Sequence, residues 1–452
     1  MGHTVRVAVA LTNARRRGPN FVYANAYVPD RIAGLDYTPG RRAAQSLAVA
    51  GECLVRADTR VLASTAGSTQ IVGLLGRSEG IGSSTIEGYN ASLEKVVVES
   101  AMERRPHTTT TAGIIRDGIE AVAFALDALG YQATPVTAGD IETIQRGLMS
   151  NQGAHLRGYR RVFVQIGGDS DSPETAHFVP PPWQEVGGLM EDLCDFVNRD
   201  DFLHPIARAA VAHAQFETIH PFPDGNGRTG RALFQAMLRR SGLMTHAVLP
   251  MSAAIARSDA SRQRYIAALG GVRDLGSLDE TVETFCDFVV EASTRTELLV
   301  DDIEAALGEL RTVVASEFRS DSAAHKLVDL LVMHVGITAT GAARTLRTTP
   351  QSVRTALNAM EDAGVVASRA GAKASRVYFA PAILSVIAEA SGSEVKDHTL
   401  AELPNKSMPW DVLTGPHRGR PQSGKRCATP LRTGSVCMRP AGHGTTGHRS
   451  KP

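Results

Sequence analysis

The twelve residues HPFPDGNGRTGR (220–231) leave the chain little freedom, because they separate two runs of helix formers. Upstream, HPIARAAVAHAQFETI (204–219) puts Pro205 in a first turn, where its missing N–H is harmless. Pro221 cannot extend that helix, so His220 is expected at its C-terminal end. Asp224, Gly225, Asn226 and Gly227 are dense turn chemistry. Ala232, Leu233, Ala236 and Met237 then open a new apolar period. The stretch therefore predicts helix, tight loop, helix.

That geometry implies chemistry. The first amides of the second helix lack intrahelical partners and form an anion site facing the loop. Gly225 and Gly227 let backbone approach a phosphate closely. Arg228 and Arg231, three apart, leave one side of the helix start, and their guanidinium forks suit phosphate oxygens. Asp224 is placed to hold a magnesium ion between phosphates. His220 has a pKa suited to accepting a proton near neutrality. A plain inter-helix loop with a capping aspartate and surface arginines explains each residue singly, but not the whole string.

Position for position, the string resembles the H-x-F-x-[DE]-G-N-G-R-x-x-R signature of the Fic family of AMP-transferring enzymes. GYRRVFVQIGG (158–168), with alternating Val162, Val164 and Ile166, is expected to form a short strand or hairpin ending at Gly167-Gly168. With AHFVPPPWQEV after it, the stretch resembles the family's flap and linker. The resemblance spans roughly residues 65–300. It implies ATP and magnesium as cofactors and a protein Ser, Thr or Tyr hydroxyl as acceptor. It makes His220 the base, Asp224 the magnesium ligand, and Gly225, Asn226 and Gly227 the anion cradle. Arg228 and Arg231 would bind the β- and γ-phosphates, and Phe222 would anchor the loop in the core.

SSTIEGYN (83–90) fits the family's inhibitory pattern [ST]-x-x-x-E-[GN] through Ser83, Glu87 and Gly88. By that resemblance Glu87 pairs with Arg231 in the space of the ATP γ-phosphate. Taken by itself, the stretch is a helix end stopped by Gly88. Gly80 and Gly82 precede it, and each glycine costs about 1 kcal/mol against alanine in a helix. The expectation is a loose inhibitory helix and incomplete repression.

The rest of the chain divides around this core, giving a mainly α fold: a Fic-type helical core with a short β-hairpin flap, then a small winged-helix domain. Expected boundaries are an N-terminal segment 1–64, an inhibitory region 65–104, the Fic domain 105–315, a winged-helix-like domain 324–388, a flexible linker 391–425 and a basic Cys/His tail 426–452. Little is assigned in residues 1–60. MEDLCDFV (190–197) and ETVETFCDFVVEA (280–292) carry amphipathic helical stripes. In the C-terminal module, ITATGAARTL (337–346) is expected as the second helix and TPQSVRTALNAMEDAG (349–364) as the recognition helix. Thr349 is its cap, Pro350 its first residue and Gly364 its stop. Val353, Leu357 and Met360 face inward, and Gln351, Arg354, Thr355 and Asn358 outward. Arg369 and Lys373 belong to a wing. Such a module suits duplex DNA, or protein contact and dimerisation.

The chain has 452 residues, 43% hydrophobic, and a formal net charge of +1, as expected of a cytoplasmic protein of two to four domains. It has no apolar run of the ~18 residues needed to cross a bilayer. Its five cysteines do not form a disulfide framework. Cys53, Cys194 and Cys286 are expected buried and inert. Cys427, Cys437, His443 and His448 are spaced C-x9-C-x5-H-x4-H, leaving open one structural zinc or a basic tail with eight Lys/Arg and no acid over 412–452. The residues leave open AMP removal or another nucleotidyl transfer, a DNA-binding regulator whose Fic site senses nucleotide, and a homodimer.

Overall fold

The computed structural model describes residues 2–10, 21–102, 110–131, 134–168, 173–273, 278–371 and 375–392. Lys373 and the candidate zinc ligands Cys427, Cys437, His443 and His448 lie outside them. Among the described residues no cluster of three or more His, Cys, Asp or Glu side chains could hold a metal, and no helix is long and apolar enough to cross a membrane.

The fold is mainly helical. Its centre is α7 (Pro205–Ile219) and α8 (Asn226–Arg240), joined by the loop that the sequence predicts. Nearly every residue of α7 after Pro205 is buried, as befits an alanine-rich helix with no polar face. Around this pair pack α4 (Thr111–Leu129), α6 (Trp183–Val197), and α11 (Leu278–Glu317). Pro182 caps α6, so the triple proline leads into a helix as expected. Within α6, Met190, Leu193, Phe196 and Val197 are all buried.

The first sixty residues are more ordered than the sequence suggested. β1 (His3–Ala10) and β2 (Phe21–Val28) form an antiparallel pair, and α1 (Arg41–Leu62) runs along α11. Alternation of Val5, Val7 and Val9 with Thr4, Arg6 and Ala8 was the strand signal, and the inward residues match it.

Of the short strand or hairpin expected at 158–168, the continuous strand is corrected and a minimal hairpin contact remains. The segment makes a single antiparallel bridge, Ile166 to Phe178, and Val162 is exposed. Arg160 turns inward and breaks the alternation. The flap therefore pairs with residues after Gly168, and the Tyr27 backbone amide of β2 donates to the Val179 carbonyl at 2.9 Å. Cys194 and Cys286 are buried and burial pushes both thiols up to about 12, while Cys53 is only half-buried.

The C-terminal module runs α12 (Ala323–His334), β3 (Gly336–Thr338), α13 (Ala339–Leu346), α14 (Pro350–Asp362), β4 (Ala367–Ala370), β5 (Arg376–Phe379) and α15 (Pro381–Ser391), with strand order β3-β5-β4. The helix expected from residue 337 starts two residues later, because Ile337 pairs with Tyr378 as a strand. α14 has Thr349 as cap, Val353, Leu357 and Met360 buried, and Gly364 at φ 73°. Arg369 is not free for a phosphate: it pairs with Glu94 of α3 (Leu93–Ala101) at 3.0 Å.

Candidate active site

His220 ends α7 in a left-handed conformation, φ 49°, immediately before Pro221. The turn is locked from inside. Asn226 accepts from the Phe222 amide and donates to the Phe222 carbonyl, both at 2.9 Å. Phe222 is fully buried and stacks on Tyr159 at 5.2 Å. Gln145, buried in α5 (Ala138–Leu148), donates to the carbonyls of Asp224 and Leu156 and accepts from the Gly158 amide.

Arg160 is the support that sequence reasoning missed. Its backbone amide donates to the Pro221 carbonyl, and its guanidinium reaches the carbonyls of His220 at 2.8 Å, Pro181 at 2.6 Å and Ile219 at 3.3 Å. A cation here satisfies carbonyls that the end of α7 leaves free. Burial pulls its pKa down to about 10, so it stays charged at neutral pH. No local pattern marks Arg160, since its shorter bonds reach carbonyls twenty-one and sixty residues away.

Gly225, at φ 81°, opens α8 with no side-chain cap, so the first amides of the helix are left for an anion. The two arginines are not surface residues: Arg228 is 2% and Arg231 1% exposed. Arg228 lies over the Tyr89 ring at 4.8 Å, 3.9 Å from Asp224, and its buried Nε and Nη1 have no protein partner. A buried guanidinium in that condition fits an anionic ligand.

Arg231 is fully engaged. Nε donates to Ser83 Oγ at 2.9 Å, and Nη2 donates to the Ser83 carbonyl at 2.8 Å and to Glu87 Oε1 at 2.7 Å. Ser83, Glu87 and Gly88 lie at the end of α2 (Ser68–Ile86), where Gly88 takes φ 84°. The plain helix end and the ion pair are thus the same feature. The Glu87 carboxylate rests against Gly227, where a side chain would displace it. Burial would raise its pKa, but Arg231 more than offsets this and holds it below the ordinary value.

The expectation of a loose inhibitory helix is corrected. α2 is continuous from 68 to 86, and its glycines are points of close approach. A Cβ at Gly80 would meet Ile119 Cα of α4 at 2.6 Å. One at Gly82 would meet the Ala253 amide nitrogen of α9 (Met251–Ala256) at 2.8 Å. Buried Glu79 adds a tie to α9, accepting from the Ser252 amide at 2.8 Å and hydroxyl at 2.6 Å.

Burial, with Arg160 contributing, pushes His220 down to about 4, below the near-neutral value expected from the sequence, so its ring is neutral at pH 7. The structure thus brings together His220, Asp224, Gly225, Asn226, Gly227, Arg228, Arg231, Ser83 and Glu87. Residues 135–238 match the Fic/DOC family. The chain carries a Fic domain. Curated relatives of the Fic domain include a probable protein adenylyltransferase of Aquifex aeolicus, 31% identical over 160 residues, 32% of this chain and 44% of that protein. A protein adenylyltransferase Fic of Drosophila willistoni is 33% identical over 128 residues, 28% of this chain and 24% of that protein. The chain spans less than half the length of these relatives. A Fic family protein from Desulfovibrio desulfuricans aligns over 76% of this chain and 97% of its own, at 20% identity and TM-score 0.46.

Proposed function

We propose that this chain transfers AMP from ATP to a Ser, Thr or Tyr hydroxyl of a target protein, and that Glu87 restrains it. One observation carries the reading: a neutral His220 beside the uncapped start of α8, flanked by two buried guanidiniums. The adenylyltransferase names of the relatives support it. His220 takes the hydroxyl proton, the cradle at 225–227 and Arg228 hold phosphate oxygens, and Arg231 takes the γ-phosphate once Glu87 yields it. Asp224, half-exposed at the loop, fits a magnesium ion, which would neutralise phosphate charge when bound. The reading includes a cytoplasmic setting, supported by the cysteine usage.

The experiment is incubation with labelled ATP, comparing the parent with His220→Ala. A general base contributes about 10²–10⁴ in rate, so the variant should lose transfer while ATP binding persists. Transfer within a fewfold of the parent would remove His220 from the base role. Should Glu87→Gly instead reduce turnover of an AMP-modified protein, AMP removal becomes the better reading.

A second reading concerns the C-terminal module, taken as a winged helix that contacts duplex DNA. What supports it is the acid-free stretch 336–360, which carries exposed Arg344, Arg347 and Arg354. We expect weak binding that falls with salt. Fluorescence anisotropy of Arg347→Glu with Arg354→Glu, against the parent at two salt concentrations, is the check; equal affinity would end this reading and leave protein contact or a homodimer. A zinc on Cys427, Cys437, His443 and His448 belongs to the same proposal, testable by metal content.

A further inference from the structure

Behind the loop, Nδ1 of His220 and Oε1 of Glu217 are among the buried polar atoms without hydrogen-bond partners. They belong to neighbours. Glu217 lies one turn before His220 on α7, and its Oε2 is 3.8 Å from Nδ1. That is too long for a hydrogen bond, and a small rotation of either group closes it. Gly230 of α8 makes the space, since a Cβ there would stand 2.5 Å from Glu217 Oε1. An unpartnered buried Nδ1 needs an acceptor, and Oε2 of the Glu217 carboxylate is the side-chain oxygen that stands next to it.

We infer that Glu217 is the positioning residue of His220: it accepts the Nδ1 proton, keeps the basic lone pair on Nε2, and offsets the imidazolium charge during transfer. This rests on the AMP-transfer reading. In that reaction the acceptor oxygen bonds to the α-phosphorus and its proton passes to Nε2. The bond from the α-phosphorus to the bridging oxygen breaks, and its electron pair leaves with pyrophosphate. A second proton on His220 makes a cation beside Arg160. In the restrained state Glu87 also lies near the ring. Once Glu87 leaves Arg231 for a γ-phosphate, Glu217 is the acid that remains one turn away.

The surroundings of Glu217 are Arg231 from α8, Glu87 from the end of α2, and Tyr265 from α10 (Asp259–Leu269). His213, a turn earlier on α7, is held neutral by burial and bonded to the Tyr265 hydroxyl at 2.7 Å. Burial pushes Glu217 up to about 8. A protonated Glu217 can donate to Nδ1 and so select the tautomer with Nε2 blocked. Transfer should therefore rise as pH passes through that value.

The test uses Glu87→Gly as parent, with Glu217→Gln and Glu217→Leu added to it. We expect kcat to fall about tenfold or more, KM for ATP to stay nearly unchanged, and the rise near pH 8 to vanish. Unchanged kcat and pH profile would overturn the inference. So would a kcat loss matched by equal losses of ATP binding and thermal stability, which marks a structural role. Imidazole nitrogen shifts give a readout without turnover: above pH 8 the Nδ1–H form of His220 should dominate, and should not in the leucine variant. If Glu87→Gly itself transfers no AMP, the functional reading fails, and these shifts still decide the positioning.

Discussion

Glycines 225 and 227 at the start of α8 and glycines 80 and 82 in α2 lack the same atom for different reasons. Gly225 uses the freedom of its backbone, taking a positive φ to start a helix without a cap. Gly227 leaves room for the Glu87 carboxylate against the backbone. Gly80 and Gly82 remain helical and let α2 press against the backbones of α4 and α9. The first pair makes a place for charge. The second aims the end of a helix, with Glu87 on it, at that place. Helix propensity scores the second pair as a weakness because it counts the helix alone, whereas packing against neighbours decides the outcome.

The largest effect should come from emptying the space over Gly227. Glu87→Gly should raise labelled-AMP incorporation about tenfold or more, corresponding to loss of about 1.5 kcal/mol. That figure sits at the low end for a hydrogen bond to a charged group, because 36% of the Glu87 side chain stays exposed. Adding Arg231→Ala should cancel most of the gain. No change in the single variant would mean that the contact does not hold the enzyme back.

Gly80→Ala separates the two accounts of α2, which predict opposite signs. Propensity alone promises a gain of about 1 kcal/mol and tighter repression. Close packing predicts a cost of about 1–3 kcal/mol, a lower Tm and a modest rise in AMP transfer as α2 backs away. Thermal unfolding and the labelling assay together decide. A higher Tm with weaker transfer would refute close approach.

The smallest effect is the pH dependence of the Glu87 pair. Its folded pKa is depressed, so its stabilisation is complete above the ordinary value of 4.5 and is lost as pH falls through the folded value. The Tm difference between the parent and Glu87→Gln should hold steady from neutrality to that point and shrink below it. A difference that grew on acidification would mean the carboxylate is not the favoured form.

How much of this was legible follows from the range of each interaction. The helix–loop–helix at 204–240 rests on proline, glycine and apolar spacing within a few residues, and it stands as read. The pairing of Glu87 with Arg231 spans 144 positions, and only the family resemblance pointed to it. The flap was read as a strand because its alternation is real, but Arg160 points the wrong way for a sheet and Val162 faces solvent. Arg369 looked like a wing residue until Glu94, far away in sequence, claimed it. Glu217 passed unnoticed within an alanine-rich run, because a buried acid looks like any other helical glutamate until the neighbouring Gly230 is seen to make its space.

Arg160 has a further consequence, concerning which exchanges the chain can tolerate. One guanidinium fastens the approach to the flap, the proline run ahead of α6 and the last turn of α7. A lysine would keep the charge, yet a single ammonium on a flexible stem cannot span three carbonyls held in a fixed fan. The most conservative replacement would thus undo the joint while leaving Arg228, Arg231 and the start of α8 intact. The turn at 222–226 shares its load among Asn226, Gln145 and the Phe222 ring, whereas the joint behind His220 hangs on one guanidinium.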